Sequence, residues 1–355
     1  MRYIFYSAFI ICLAVNLTVV HSAHGEDGYG LKPGRYPVGV VESLSLHDAK
    51  RKKDLIVRIH YPKGKGPFPV IIFSHGFGAG KDAFATIGKH WASHGYVTIH
   101  PNHADGGTLD RMRQLRNQGN NGKRIDRDEL RKRLRERFRK GRGRGIRSRS
   151  GGLTDRVRDV SGVIEALAQV EKKFPAIKGK LDRKNIGVSG HSYGACVTML
   201  VGGVTAKIDG ENKSLVDRRV KCILPFSAAG TGEYGLHKTS WKSLKLPTLY
   251  VTGTRDIRPG YRFEWRKEPF ELSPKGEKYL VVMDGATHFH FGGGAPGLGS
   301  FKRARVREDK YTPLVKDVSV AFWDAYLRQN KKAKAYLSSD RFGKSAGEVA
   351  SIASK

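Results

Sequence analysis

A serine, an aspartate and a histidine stand in this chain in an order and in settings suited to nucleophilic hydrolysis. Ser192 lies at the centre of Gly190-His191-Ser192-Tyr193-Gly194, with the apolar residues Ile186 and Val188 before it and a helical run, 195–200, after it. Strand, sharp turn and helix in that order hold a hydroxyl clear of a sheet, in a strained backbone that only small neighbours tolerate. Gly190 and Gly194 are those neighbours. A serine hydroxyl is a poor nucleophile until a base takes its proton, and the base must be held by a third group. Asp256 follows the apolar run 247–251, and His288 follows 279–283. Each therefore sits in a loop just past a strand, and the order Ser192, Asp256, His288 is one in which such triads occur. Asp284 and His290 are the rivals for acid and base. Two backbone N–H groups must also face the developing oxyanion. Tyr193, next after the serine, and Phe77, in Ser74-His75-Gly76-Phe77, are placed to supply them. His75, His100, His103 and Asp105 match no metal-ligand spacing and read as loop hydrogen-bonding groups, so neither metal nor cofactor is expected.

The elements that must position these residues alternate in type. Residues 36–46 read as an edge strand and 55–59 as a second strand, stopped by Pro62 and Gly64. Val70-Ile71-Ile72-Phe73 is a continuous apolar run, as in a strand covered on both faces. Helical spacing of Phe84, Ile87 and Trp91 predicts a helix over 82–93, closed by Gly95, and 96–99 is the next strand. After an interruption, Thr154 or Asp155 caps a helix whose face is Val157, Val160, Ile164 and Leu167. Strands at 222–226, 247–251 and 279–283 and a helix at 314–327 complete the pattern. Such alternation predicts an α/β fold: a mostly parallel, doubly wound sheet with helices on both faces.

With these elements in place the chain resembles the bacterial predicted dienelactone hydrolases, grouped with platelet-activating-factor acetylhydrolase, chlorophyllase-like and polyester hydrolase relatives in the α/β-hydrolase superfamily. Ser74-His75-Gly76-Phe77, the 90–96 run His-Trp-Ala-Ser-His-Gly-Tyr, Gly190-His191-Ser192-Tyr193-Gly194, Thr252-Gly253-Thr254-Arg255-Asp256 and Gly285-Ala286-Thr287-His288 carry the resemblance. It implies the α/β-hydrolase fold and cofactor-free cleavage of carboxylic esters, with Ser192, Asp256 and His288 catalytic and Phe77 and Tyr193 at the oxyanion. A serine stands where true dienelactone hydrolases use cysteine. Polyester hydrolases usually have Met after the serine, an aromatic platform after the next strand and a C-terminal disulfide. Tyr193, Ser227-Ala228-Ala229-Gly230 and two distant cysteines disfavour polyester cleavage here.

Composition adds a second theme. The net charge is +32 over 355 residues, and residues 111–150 hold seventeen Lys and Arg against four Asp and Glu. Such charge predicts association with polyanions, through an anionic polysaccharide or a membrane surface, with no specific nucleic acid expected. Residues 106–150 read as a basic, partly disordered insertion in a catalytic domain spanning 26–335, with 336–355 a C-terminal tail; Leu130, Leu134 and Phe138 form a narrow stripe within it. Arg2, an apolar stretch over 4–20, and Ser22 and Ala23 read as a secretory signal over 1–22, so the chain is expected to be secreted or periplasmic, an uncleaved anchor being the alternative. Cys196 and Cys222 are expected at opposite ends of the sheet as two buried thiols. Two functions follow: a secreted serine esterase acting on a small-molecule or lipid-like ester, or a polyanion-binding surface protein with vestigial catalysis.

Overall fold

The structure is a computed structural model, and it describes residues 28–108, 152–292 and 310–355. The expected signal segment and the stripe Leu130, Leu134 and Phe138 lie outside the described residues. Nine strands form one sheet: β1 (Val38–Asp48), β2 (Lys53–Pro62), β3 (Phe68–Ser74), β4 (Val97–Pro101), β5 (Leu181–His191), β8 (Val220–Phe226), β9 (Thr248–Arg255), β10 (Lys278–Thr287) and β11 (Ala350–Ser354), in the order β1-β2-β4-β3-β5-β8-β9-β10-β11. The six central strands run parallel, while β1, β2 and β11 are antiparallel additions at the edges. This is the mostly parallel, doubly wound sheet expected from the alternating pattern, and it agrees with the α/β-hydrolase fold that the resemblance implies.

The core strands are apolar throughout because both faces are covered, and successive residues serve opposite layers. Val70, Ile72, Ile186, Val188 and Tyr250 face one layer, built with α2 (Leu153–Glu165), α3 (Leu167–Lys173) and α4 (Tyr193–Val201). Ile71, Phe73, Leu224, Val251 and Val281 face the other, built with α1 (Ala85–Ser93), α6 (Tyr311–Leu327) and α7 (Lys331–Ser338). A further helix, α5 (Glu264–Glu271), follows β9. Cys196 and Cys222 are buried, unpaired thiols. Among the described residues no helix is long and apolar enough to cross a membrane.

Several elements depart from the sequence reading. The first helix begins at Ala85; Phe84, assigned to it, instead takes a left-handed φ of 60° and stacks on Phe73 at 4.6 Å. α2 starts at Leu153 with Gly152 at its cap, so Thr154 and Asp155 lie inside the first turn and cap nothing. Residues 336–355 are no tail. They finish α7, form α8 (Arg341–Ala346) and supply β11, which pairs with β10 from Met283 to Tyr279 and covers what would be an open edge. A two-stranded hairpin, β6 (Thr205–Ile208) and β7 (Glu211–Ser214), turns at Asp209-Gly210, both in left-handed conformation, as a type I′ turn requires.

The interior is rich in histidine. Burial is the main force holding His60 and His90 at about 4, with Arg58 acting in the same direction on the first and His94 on the second. Burial and the charge of Arg156 bring His103 to about 4, and burial and the neighbouring His288 bring His191 to about 3. Each therefore stays neutral in the fold at a pH where the unfolded chain is protonated. The unfolded state binds more protons between about 6.5 and 4, so stability falls as pH drops through that window. We expect each such histidine to cost up to about 1.4 kcal/mol per pH unit there, read as a falling urea midpoint; a midpoint constant from pH 7 to 4.5 would show that these side chains protonate without unfolding.

Candidate active site

The site forms where the parallel strands end. β5 delivers Ser192 into a turn with φ 57° and ψ −113°, and α4 begins at the next residue. The Ser192 N–H donates to the Phe226 carbonyl at 3.0 Å, tying the turn to the neighbouring strand. Both flanking glycines are required by space. A Cβ at Gly190 would run into the Gly194 carbonyl, and one at Gly194 into the carbonyls of Ser74 and His75.

β10 ends at Thr287 and turns His288 towards the serine. His288 Nε2 lies 2.9 Å from Ser192 Oγ, and Nδ1 lies 2.9 Å from Asp256 Oδ1. A neutral imidazole carrying its proton on Nδ1 satisfies both, accepting from the serine and donating to the carboxylate. Asp256, just past β9, is fully buried. Burial by itself would raise its pKa, but the His288 hydrogen bond and the charges of Arg266 and His288 outweigh it and hold the carboxyl at about 2. The Thr252 hydroxyl donates to its second oxygen at 3.0 Å. The rivals point elsewhere. Asp284 accepts from the Thr254 hydroxyl, and His290 Nδ1 accepts from the Thr287 N–H at 2.8 Å.

Phe77 and Tyr193 meet across the turn, their rings 6.1 Å apart. Neither backbone N–H is spent on an acceptor among the described residues. Beside them opens a cavity of about 400 Å³ lined by Phe77, Tyr234, Ile257, Trp265 and Phe289, with Ser192 and His288 in its wall. Three of the five exposed large apolar side chains among the described residues (Phe77, Ile257 and Phe289) belong to it. The histidines that might suggest a metal are engaged in hydrogen bonds: His103 with Ser74 and Asp159, His75 with the Gly76 carbonyl, and His100 with the Ala83 carbonyl.

A family description fits this geometry. The model of "Platelet-activating factor acetylhydrolase, isoform II" matches residues 58–293, well over half of the chain. The chain belongs to the platelet-activating factor acetylhydrolase isoform II family. It is 22% identical over 284 residues to the platelet-activating factor acetylhydrolase of Cavia porcellus, covering 74% of this chain and 58% of that one. It is 28% identical over 245 residues to that of Bos taurus, covering 63% and 48%. The chain thus spans about half the length of these relatives.

Residues that no motif announced also pack around Ser192, Asp256 and His288. Arg266, in the first turn of α5, is buried beneath the triad. Its Nη2 sits 3.1 Å from Asp256 Oδ1 and 3.3 Å from His288 Nδ1, its Nε donates to the Asp256 carbonyl, and its Nη1 donates to the carbonyls of Ser227 and Ala228. His191 Nε2 donates to the His288 carbonyl at 2.8 Å and steadies the turn that presents the imidazole. Trp265 walls the cavity, its indole N–H bonded to the Thr231 carbonyl. The signal for Arg266 was only a Trp-Arg pair soon after the acid, which carries no pattern by itself. Removing one partner of a buried pair leaves the other charge uncompensated, a loss of about 3–5 kcal/mol. Arg266→Met is therefore expected to lower unfolding free energy by that order in urea titrations, with Arg266→Lys recovering only part, since one ammonium cannot replace the planar fork.

Proposed function

We propose that the chain is a serine hydrolase that cleaves carboxylic esters through an acyl-enzyme. The observation that carries this reading is the unbroken chain Ser192–His288–Asp256, two hydrogen bonds of 2.9 Å ending at an apolar cavity. His288 takes the Ser192 proton as the oxygen attacks the ester carbonyl, then returns it to the departing alcohol, and water repeats the sequence on the acyl-enzyme. Asp256, ionised and buried, holds the imidazole in the required tautomer and stabilises its charged form. The N–H groups of Phe77 and Tyr193 receive the oxyanion. The apolar lining favours a small-molecule or lipid-like ester, and the relatives' name as acetylhydrolases supports a short acyl group.

We further read residues 26–335 together with the β11 segment as the catalytic domain, residues 1–22 as a secretory signal, and 106–150 as a basic arm that attracts the protein to anionic surfaces. The excess positive charge also suits a polyanion-binding protein whose catalysis has lapsed. Against that reading, every polar atom of the triad is partnered as turnover would need.

Ser192→Ala is expected to abolish hydrolysis of p-nitrophenyl acetate and labelling by a fluorophosphonate while leaving the melting temperature unchanged. Asp256→Asn should lower kcat by about 10³–10⁴-fold through loss of the tautomer. Turnover by Ser192→Ala within tenfold of the parent would remove Ser192 as the nucleophile, whereas absence of turnover and labelling in the parent itself would favour the lapsed-catalysis reading. Replacing 111–150 by a short linker should leave kcat on the soluble ester unchanged and abolish salt-sensitive retention on heparin or anionic vesicles; changed turnover on that ester would show instead that the arm serves the site directly.

A further inference from the structure

The oxyanion segment is gripped by a buried ion pair that the triad does not use. Arg156, in α2, is 1% exposed, and Asp105, beyond β4, is 4% exposed. The guanidinium is bidentate on the carboxylate, with Nη2 2.6 Å from Oδ2 and Nε 3.1 Å from Oδ1. Its remaining donors reach into the Ser74–Phe77 loop: Nη1 donates to the His75 carbonyl at 2.5 Å and Nη2 approaches the Gly76 carbonyl at 3.4 Å. On the far side of Phe77, the Gly78 N–H donates to Asp105 Oδ2 at 2.7 Å. The two halves of the pair thus fix the peptide groups before and after the Phe77 amide. The same guanidinium carbon lies 4.7 Å over the Tyr193 ring, so it also packs on the residue that supplies the second N–H.

We propose that Asp105 and Arg156 are a positioning pair that sets both oxyanion N–H groups, an inference that rests on Phe77 and Tyr193 serving that role. Arg156 does not line the cavity and touches no reacting atom, so it acts through the loop it holds. The reason for charge at this place is geometric. Two carbonyls and one amide of an irregular loop must be satisfied without water, and only a planar fork paired with a carboxylate supplies donors and acceptor in fixed directions. A buried pair of this kind contributes little net stability over an apolar replacement, so its value is in fixing geometry. An oxyanion donor is worth about 10²–10³ in kcat, and displacement by about 1 Å can lose most of that. The pair also stands at the two roots of the basic insertion, residues 105 and 156 flanking 106–150.

The test separates alignment from stability. Arg156→Lys, Arg156→Met and Asp105→Asn are compared with the parent for kcat and KM on p-nitrophenyl acetate, for inhibition by a trifluoromethyl ketone that forms a tetrahedral adduct on Ser192, and for melting temperature. The expected result is a fall in kcat of about 10–10²-fold with KM changed by less than threefold, and a parallel loss of trifluoromethyl ketone affinity. Arg156→Lys should be milder than Arg156→Met. Tyr279→Phe, which removes a buried hydroxyl bonded to Tyr326 far from the site, is the control that lowers the melting temperature without moving kcat or inhibition. The proposal is overturned if the variants melt earlier but keep the parent's kcat and inhibitor affinity, or if KM alone changes. Should Arg156→Met fail to fold, Asp105→Asn, nearly identical in shape, reads the same ratio. Survival of turnover in Ser192→Ala would overturn the serine-hydrolase reading itself, whereas its loss together with unaffected Arg156 and Asp105 variants would overturn the clamp alone.

Discussion

The site depends on one close approach, that of the backbone at Gly194 to the carbonyls of Ser74 and His75. No side chain fits between them. The contact draws the first turn of α4 against the end of β3 and so brings Tyr193 and Phe77 together, their rings 6.1 Å apart. It also explains why the serine can hold a φ of 57°, a conformation costing of order 1–3 kcal/mol in a non-glycine residue. The turn is over-determined by the Ser192 N–H bond to Phe226, by the glycines on either side and by the sheet beneath it. The strain is supported by packing that the doubly wound sheet supplies on both faces.

Bringing a carboxylate into such a setting creates a second demand. Asp256 is buried and ionised, and its charge must be compensated from within the protein. His288 and Thr252 supply hydrogen bonds, but the positive charge comes from Arg266, whose other donors satisfy the carbonyls of Ser227, Ala228 and Asp256. One side chain thus neutralises the acid and ties together the loops that follow β8 and β9. Arg156 does the corresponding work for the loop that follows β3. Both arginines sit in the first turn or so of helices packed against the strand ends, and both are saturated by carbonyls and one carboxylate. Loops at the ends of parallel strands lack ladder partners, and these two forks replace them.

Much of this was legible in the chain. The central strands are continuous apolar runs because both faces are covered, and Ser192, Asp256 and His288 fall just past three of them, so their meeting followed from parallel order alone. Position also told which carboxylate meets His288: Asp256 does, while Asp284 bonds Thr254 instead. The parts not read have physical reasons. Arg156 follows a stretch crowded with Lys and Arg, and nothing in residue type distinguishes a buried guanidinium from solvated ones. Arg266 and Trp265 belong to a short helix with proline inside it and little periodicity. β11 is a five-residue strand whose alternation is too short to separate from coil, and only its pairing with β10 makes it one. The Asp209-Gly210 hairpin, by contrast, carried a readable turn signal between two polar strands that bury almost nothing.

The fold contains a second serine, histidine and aspartate in the same arrangement, and it shows what the first owes to its surroundings. Ser74 Oγ lies 2.9 Å from His103 Nε2, and His103 Nδ1 lies 2.9 Å from Asp159 Oδ2, the same distances as in Ser192–His288–Asp256. Yet Ser74 is fully buried as the last residue of β3, and it does not line the cavity beside Ser192. Burial and the charge of Arg156 keep His103 from protonating until about 4, so it is poorly suited to take a proton from its serine. Asp159 spends its other oxygen on Arg51 and Lys53; burial by itself would raise its carboxyl, but His103 first and Lys53 after it hold it at about 2. Identical hydrogen bonds therefore fasten the end of β3 in one place and, on the proposed reading, present a nucleophile in the other. The difference lies in a strained turn, an open apolar wall and unspent amides, which is why the chemistry of this protein has to be argued from the setting of Ser192 and not from the presence of three residue types.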